Sequence, residues 1–388
     1  MNKGSSTTLI HSGEGTSGGV APLTTPIFET TTFIFESADA VRKYNEGGSG
    51  QFLYSRYENP TVVSAEAKIA AVDGAERALL FGSGMAASST LLMALVEPGD
   101  EVVCGAAVYG GTFHLLNGLL SRFGIHARFA AIEEFERPEQ LITERTRLVW
   151  FESPTNPHLR CVDIRRVAAA CRAAGVTSVI DNTFASPINQ RPLEMGVDLS
   201  MQSASKYLNG HSDVTAGAVS GGEVLVERVN LMRRRLGGIL DPQAAYALGR
   251  ALKTLPLRVA RHNTNAMAVA SAIEGHPAVS RVLYPGLASH PDHAVASGQM
   301  RGFGGMVCLD LADGEAGACR AFDRLQIIKR AASLGGVESV CSLPFLTSHW
   351  GQSDRDLAAA GVTKGMMRLS IGLEDPEDLV ADLQQALA

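Results

Sequence analysis

The apolar positions of this chain fall into two rhythms. Leu148-Val149-Trp150-Phe151 is a continuous run of strand length, Ile164, Val167, Ala168, Cys171 and Ala174 recur at helical spacing, and Ser178-Val179-Ile180 is a short run again. Unbroken runs mark strands buried on both faces, and a three- and four-residue recurrence marks a helix with one apolar side. Strand, helix and strand in that order predict a βαβ unit in a mostly parallel sheet. The alternation reaches about residue 222; beyond Gly237-Gly238 the pattern predicts one long helix over 242–275. It then resumes with strands at 279–284, 305–311 and 367–371 and helices at 315–324 and 376–387. The reading is an α/β fold with a large domain at 51–247 and a smaller C-terminal α/β domain at 248–388, the change falling inside the long helix. Residues 1–50 are rich in Gly, Ser and Thr, with short apolar pieces such as Phe33-Ile34-Phe35. They are too polar for a core of their own and are expected to form an arm lying on another subunit.

Charge narrows the partners. A formal net charge of −6 offers no basic footprint, so neither nucleic acid nor an anionic membrane is expected as a partner. Arg233-Arg234-Arg235 reads as a solvated helix face. Six cysteines without a CxxC spacing read as reduced and mostly buried, which fits the cytoplasm and argues against a metal site. No signal-peptide pattern opens the chain, and no apolar run reaches the roughly 18 residues of a transmembrane helix.

Candidate chemistry lies where strands end. Lys206, in Ser203-Ala204-Ser205-Lys206-Tyr207, follows the strand that closes on Asp181. An amine for an aldehyde, hydroxyls for a phosphate and a carboxylate for a ring nitrogen together suit pyridoxal phosphate. Taken singly, Asp181 also reads as a cap for Thr183-Phe184. Phe81-Gly82-Ser83-Gly84-Met85 turns a strand into a helix through a glycine corner, whose unpaired N–H groups and helix dipole favour an anion. Tyr109, at a similar corner, suits either stacking on a planar ring or core packing. Arg368 is a charge inside an apolar strand and needs a carboxylate, from a substrate or from the protein. Tyr54 and Arg56 form a second pair suited to phosphate, close to the arm. His290 and His293 flank a helix start, and His211 with Asp213 reads as a brace for the lysine loop.

Together these motifs are specific. Tyr54-Ser55-Arg56-Tyr57-Glu58-Asn59-Pro60-Thr61, Glu152-Ser153-Pro154-Thr155-Asn156-Pro157, Ser205-Lys206-Tyr207, Gly302-Phe303-Gly304-Gly305 and Ser333-Leu334-Gly335-Gly336 resemble the pyridoxal-phosphate enzymes of cysteine and methionine transsulfuration, in their cystathionine γ-synthase-like branch. The likeness runs from about Thr24 to the C-terminus. It implies an aspartate-aminotransferase-like architecture, fold type I, with a mostly parallel seven-stranded sheet in the large domain. It also implies active sites shared between subunits and a homotetramer built as a dimer of dimers. Lys206 would carry the cofactor, Asp181 face its ring nitrogen, Tyr109 stack on the ring, and Asn156 lie near its 3′-hydroxyl. Ser83, Gly84, Met85, Thr183, Ser203 and Ser205 would complete the cofactor site, joined by Tyr54 and Arg56 of the neighbouring subunit. Arg368, Ser333 and Asn156 would hold the carboxylate of a small amino-acid substrate, with Lys206 and Tyr109 as catalytic groups.

The resemblance implies γ-replacement on an O-acylated or phosphorylated homoserine, with cysteine as the nucleophile. A cystathionine β/γ-lyase, an O-acylhomoserine sulfhydrylase and a γ-substitution enzyme of secondary metabolism would share the cofactor residues. Three positions bear on the choice. Methionine γ-lyases usually carry cysteine where this chain has Gly111, and many relatives carry glutamate where it has Ala332. Glu58 stands where a small or polar residue is usual, and is expected to reach the second substrate's amine from the adjacent subunit.

Overall fold

The computed structural model describes residues 3–14, 21–48, 50–348, 350, 351, 353, 355, 357 and 361–388. In the N-terminal segment, α1 (Ser5–His11) and α2 (Ala38–Asn45) precede α3 (Pro60–Asp73). The start of α3 is set by Asn59, whose side chain accepts from Thr61 N–H at 2.9 Å, with Pro60 supplying a helix-ready φ. There follow β1 (Arg77–Phe81), α4 (Gly84–Leu95), β2 (Glu101–Gly105), α5 (Gly110–His114), β3 (His126–Ala130), β4 (Thr146–Glu152) and α6 (Ile164–Ala174). Then come β5 (Thr177–Asp181), α7 (Ser186–Asn189), β6 (Leu199–Gln202), β7 (Gly217–Gly221) and α8 (Glu223–Leu236).

These strands form one seven-stranded sheet in the order β1-β7-β6-β5-β4-β2-β3, in which β7 alone runs antiparallel to its neighbours. The strand runs are apolar throughout because both faces are covered. Leu148 and Trp150 of β4 point to the side packed by α4 and α8, and Val149 and Phe151 point to α6. With every strand but β7 parallel, the loops after β2, β4, β5 and β6 emerge at one edge, where α/β sheets bind ligands.

The predicted long helix is two helices, α9 (Pro242–Leu252) and α10 (Leu255–Ile273). Pro256 is the reason: it lacks an N–H for the preceding turn, and its ring crowds that turn, so the helix restarts at Leu255. Beyond lie β8 (Val279–Leu283), α11 (His293–Gln299), β9 (Met306–Leu311), α12 (Gly314–Arg324), β10 (Lys329–Arg330), β11 (Val340–Ser342), β12 (Met366–Ser370) and α13 (Pro376–Leu387). A second sheet has the order β10-β11-β12-β9-β8, and only its β10–β11 pair is parallel.

Two expectations need correction. The arm is not wholly extended away from its own chain: Leu9 of α1 is fully buried in the main core, and α1 packs on α3. Residues 1, 2, 15–20 and 49 of that segment lie outside the described residues. Arg233 is not solvated either. It is 2% exposed and donates to Glu66 Oε1 at 2.6 Å and to the Leu80 carbonyl at 2.8 Å, because α8 turns this position toward β1. All six cysteines are free, and five are buried. Among the described residues no helix is long and apolar enough to cross a membrane.

Candidate functional site

A cavity of about 710 Å³ opens at the sheet edge where these loops emerge, and the small domain supplies its far wall. Lys206 lies on the loop after β6. Its Nζ donates to Ser333 Oγ at 2.6 Å, so the amine is aimed by a residue from the other sheet's side of the cavity. Burial and then the positive charge of Arg368 push the Lys206 pKa below the ordinary lysine value, which raises the neutral, nucleophilic fraction. Ser333 has φ 83°, a left-handed conformation that serine rarely adopts. In that conformation its hydroxyl meets Lys206 while its carbonyl accepts from Arg368 Nη2 at 3.4 Å.

The loop carrying Lys206 is braced from below. Arg258 of α10 donates to the carbonyls of Tyr207 and Leu208 at 2.7 and 3.1 Å, and burial holds its pKa down to about 10. Gly210, at φ +72°, lies so close that an added Cβ would stand 1.9 Å from Arg258 Nη1. His211 and Asp213 brace the loop through one residue: Asn209 donates to Asp213 at 2.7 Å, and its carbonyl lies 2.7 Å from His211 Nδ1.

Asp181 ends β5 on the cavity floor. Its Oδ1 accepts from Thr183 N–H at 3.0 Å and Thr183 Oγ1 at 2.5 Å, and among the described residues no partner meets its second oxygen. Thr183 Oγ1 also accepts from Ser203 N–H at 2.8 Å, tying the two strand ends together. Ser83 caps α4, accepting from Ala86 N–H at 3.0 Å, which leaves the N–H groups of Gly84 and Met85 at the open helix start. Ser203 stands against that start: a Cβ on Gly84 would lie 3.1 Å from Ser203 Oγ. Ser205 Oγ accepts from Ala216 N–H at 2.9 Å, so its hydroxyl is pinned at the same end.

Arg368 of β12 is 8% exposed and donates to Asn156 Oδ1 at 2.9 Å. The described residues give it no carboxylate, so a buried guanidinium faces the cavity in need of an anion. Tyr109, 50% exposed, borders the cavity opposite.

Tyr54, Arg56 and Glu58 are not among the residues lining this chain's own cavity. Arg56 donates to the Arg234 carbonyl and stacks over Tyr57 at 4.6 Å. Glu58, read from sequence as a carboxylate free for a substrate amine, is ion-paired within this chain. It accepts from Arg234 Nη2 at 3.1 Å and lies 4.0 Å from Arg77, because the end of α8 brings a guanidinium beside it. Sequence reasoning missed Glu152 as a site residue, along with Thr215, Thr347 and Ser348. For Glu152 a signal existed: it is an acid closing the apolar run Leu148–Phe151, as Asp181 closes the next one.

This donor set fits pyridoxal phosphate. A glycine-opened helix start flanked by serines suits its phosphate, the uncommitted Asp181 oxygen suits its ring nitrogen, and the Lys206 amine suits its aldehyde. Comparison with known proteins agrees. The family model described as Cys/Met metabolism PLP-dependent enzyme matches residues 6–388. The chain is 40% identical to an L-methionine gamma-lyase of Pseudomonas putida, over 99% of this chain and 97% of that one. It is 41% identical to the chloroplastic cystathionine gamma-synthase 1 of Nicotiana tabacum, over 97% and 71%. The crystal structure of metB from Corynebacterium glutamicum superposes with a TM-score of 0.93 at 38% identity, covering 99% of this chain and 98% of that one.

Proposed function

Because the chain belongs to the Cys/Met metabolism PLP-dependent enzyme family, we propose that it catalyses γ-replacement on an O-acylated or phosphorylated homoserine with cysteine, forming cystathionine. When bound, pyridoxal phosphate supplies an electron sink for charge developing at the substrate's Cα and Cβ. The protein's part is positioning and proton transfer. Arg368, oriented by Asn156, holds the substrate carboxylate in a bidentate grip. Lys206, which would hold the cofactor's aldehyde, would also take the Cα proton at Nζ, where Ser333 Oγ steers it. The Tyr109 phenol accepts a proton from the incoming amine and returns one to the leaving oxygen.

The observation that carries the choice of branch is the space around Gly111. A Cβ there would lie 2.6 Å from Tyr109 Cε1 and 2.7 Å from Met85 Sδ, so this site has no room for a cysteine with Tyr109 in its present place. Ala332, also on the cavity wall, puts a methyl group where many relatives carry a glutamate. Elimination is the second reading, favoured by the 40% identity to an L-methionine gamma-lyase.

The test is product identification by mass with O-succinyl-, O-acetyl- and O-phosphohomoserine, each with cysteine, with sulfide or alone, and with cystathionine or methionine as sole substrate. Cystathionine formed from an activated homoserine plus cysteine is expected. Consumption of cystathionine or methionine to a 2-oxo acid and ammonia, faster than any replacement, would overturn it.

A further inference from the structure

Glu152 is the last residue of β4, and it pairs in register with Asp181, the last residue of β5. In adjacent parallel strands such partners point to the same face, and both side chains line the cofactor cavity. Neither carboxyl has an ion pair among the described residues. Asp181 accepts two hydrogen bonds on one oxygen, from the N–H and hydroxyl of Thr183. Glu152 accepts one, on Oε1 from the backbone N–H of Tyr109 at 2.7 Å. Two carboxyls in one buried site do not both ionise, and the one with more donors keeps the charge.

We propose that Glu152 is a positioning residue that works as a neutral acid: its carbonyl oxygen anchors the backbone of Tyr109 at the cavity rim, and its proton leaves Asp181 as the only anion facing the cofactor ring. The inference holds whether the enzyme replaces or eliminates. Outside its own helix, Tyr109 is fixed at its backbone by Glu152. Tyr109 precedes a five-residue helix, makes no side-chain cap and is half exposed; its carbonyl accepts from the N–H groups of Thr112 and Phe113 at 2.9 and 3.1 Å within that helix, so the Glu152 bond to its N–H is what ties this corner to β4. An ionised Glu152 would hold the same N–H but would place a second negative charge beside Asp181, with no cation of its own.

Among the described residues, few titratable groups face Glu152. Asp181 comes from β5, Cys104 from β2, and Tyr109 from the loop after β2, while Lys206 and Arg368 are the cations on the cavity wall. Burial and then the charge of Asp181 push Glu152 well above the carboxylate range, which agrees with the geometry; the Tyr109 N–H draws it back only in part. Cys104 feels Glu152 but is itself buried and held as a thiol.

Two variants of the holoenzyme test this. Glu152→Gln copies a neutral acid in shape and in its carbonyl acceptor. It is expected to bind pyridoxal phosphate within about threefold of the wild type, and to leave the pH midpoint of the lysine-bound cofactor's visible band within about 0.5 unit. Loss of a real negative charge so close to the cofactor would lower that midpoint by about one unit or more; any drop beyond 0.5 overturns the neutral assignment. Glu152→Ala removes the anchor, and is expected to raise the cofactor's Kd by about tenfold and to weaken its visible circular dichroism. Unchanged affinity and dichroism in a folded Glu152→Ala protein would overturn the anchoring role. If that variant does not fold, the Glu152→Gln titration still decides whether Glu152 is neutral, and Glu152→Met, which fills the same space without the acceptor, replaces Glu152→Ala in the dichroism and affinity test.

Discussion

At the scale of single residues, the site concentrates positive charge where an amino acid's carboxylate would arrive. Lys206 and Arg368 share the cavity, and the depressed Lys206 pKa has a consequence for stability without cofactor. The folded chain holds that proton less tightly than the unfolded one, so folding is penalised below the folded pKa. The penalty fades as pH rises toward the ordinary lysine value. Lys206→Met apoprotein is therefore expected to melt higher than wild-type apoprotein at pH 7, with the gap closing toward pH 10.5, as read by calorimetry across pH. Arg368→Lys keeps the charge but loses the planar fork, and should raise the KM for the amino-acid substrate by about 10²-fold in steady-state kinetics. Lys206, Asp181 and Arg368 stood out in the sequence as candidates, Lys206 from the small hydroxyl residues around it, Asp181 from its place at a strand end and Arg368 from its place inside an apolar strand. Glu152 fits the same signal as Asp181, yet its bond to Tyr109 joins positions 43 apart and appears only when β2 and β4 lie side by side.

At the scale of elements, the site depends on how helices and loops abut. Arg258 on α10 holds two carbonyls of the Lys206 loop, and nothing in a helical pattern distinguishes it from a surface arginine. Arg258→Ala would leave those buried carbonyls unpaired and is expected to cost about 3–5 kcal/mol in denaturant unfolding. Gly111 shows the same dependence between the start of α5 and a ring. Gly111→Cys should displace Tyr109 and shift the cofactor's dichroism, with kcat lowered by about tenfold or more. The helix over 242–275 was read correctly in kind and wrongly in continuity, since Pro256 compels a restart at Leu255. Arg233 was misread because periodicity gives the angle of a residue around a helix but not the partner that waits there. Glu66 on α3, at 8% exposure, is that partner.

At the scale of the whole molecule, one carboxylate adds an ionic tie between the N-terminal segment and its own chain, beside the packing of Leu9. Glu14 is 2.8 Å from both Lys68 on α3 and Lys253 after α9, and Lys68 is nearly inaccessible. Burial pushes Glu14 up, but hydrogen bonds and charges from the two lysines outweigh it and hold the carboxyl at about 2. A depressed carboxylate stabilises the fold above its unfolded value near 4.5 and loses that contribution as pH falls toward 2. Glu14→Gln is expected to lower Tm by several degrees at pH 7 and by little near pH 2, measured by thermal melts at the two pH values. By itself the sequence determined the α/β class, the order of most strands and helices, and the candidate residues for a pyridoxal phosphate site. Burial periodicity and chemical type are local properties that survive in one dimension. Only the tertiary structure decided which of those residues share a cavity and which, like Glu58, are already paired. It also decided which carboxyl lies beside Asp181 and that Gly111 sits under a tyrosine ring. Those facts depend on strand order and on contacts between distant segments, and no local pattern encodes either.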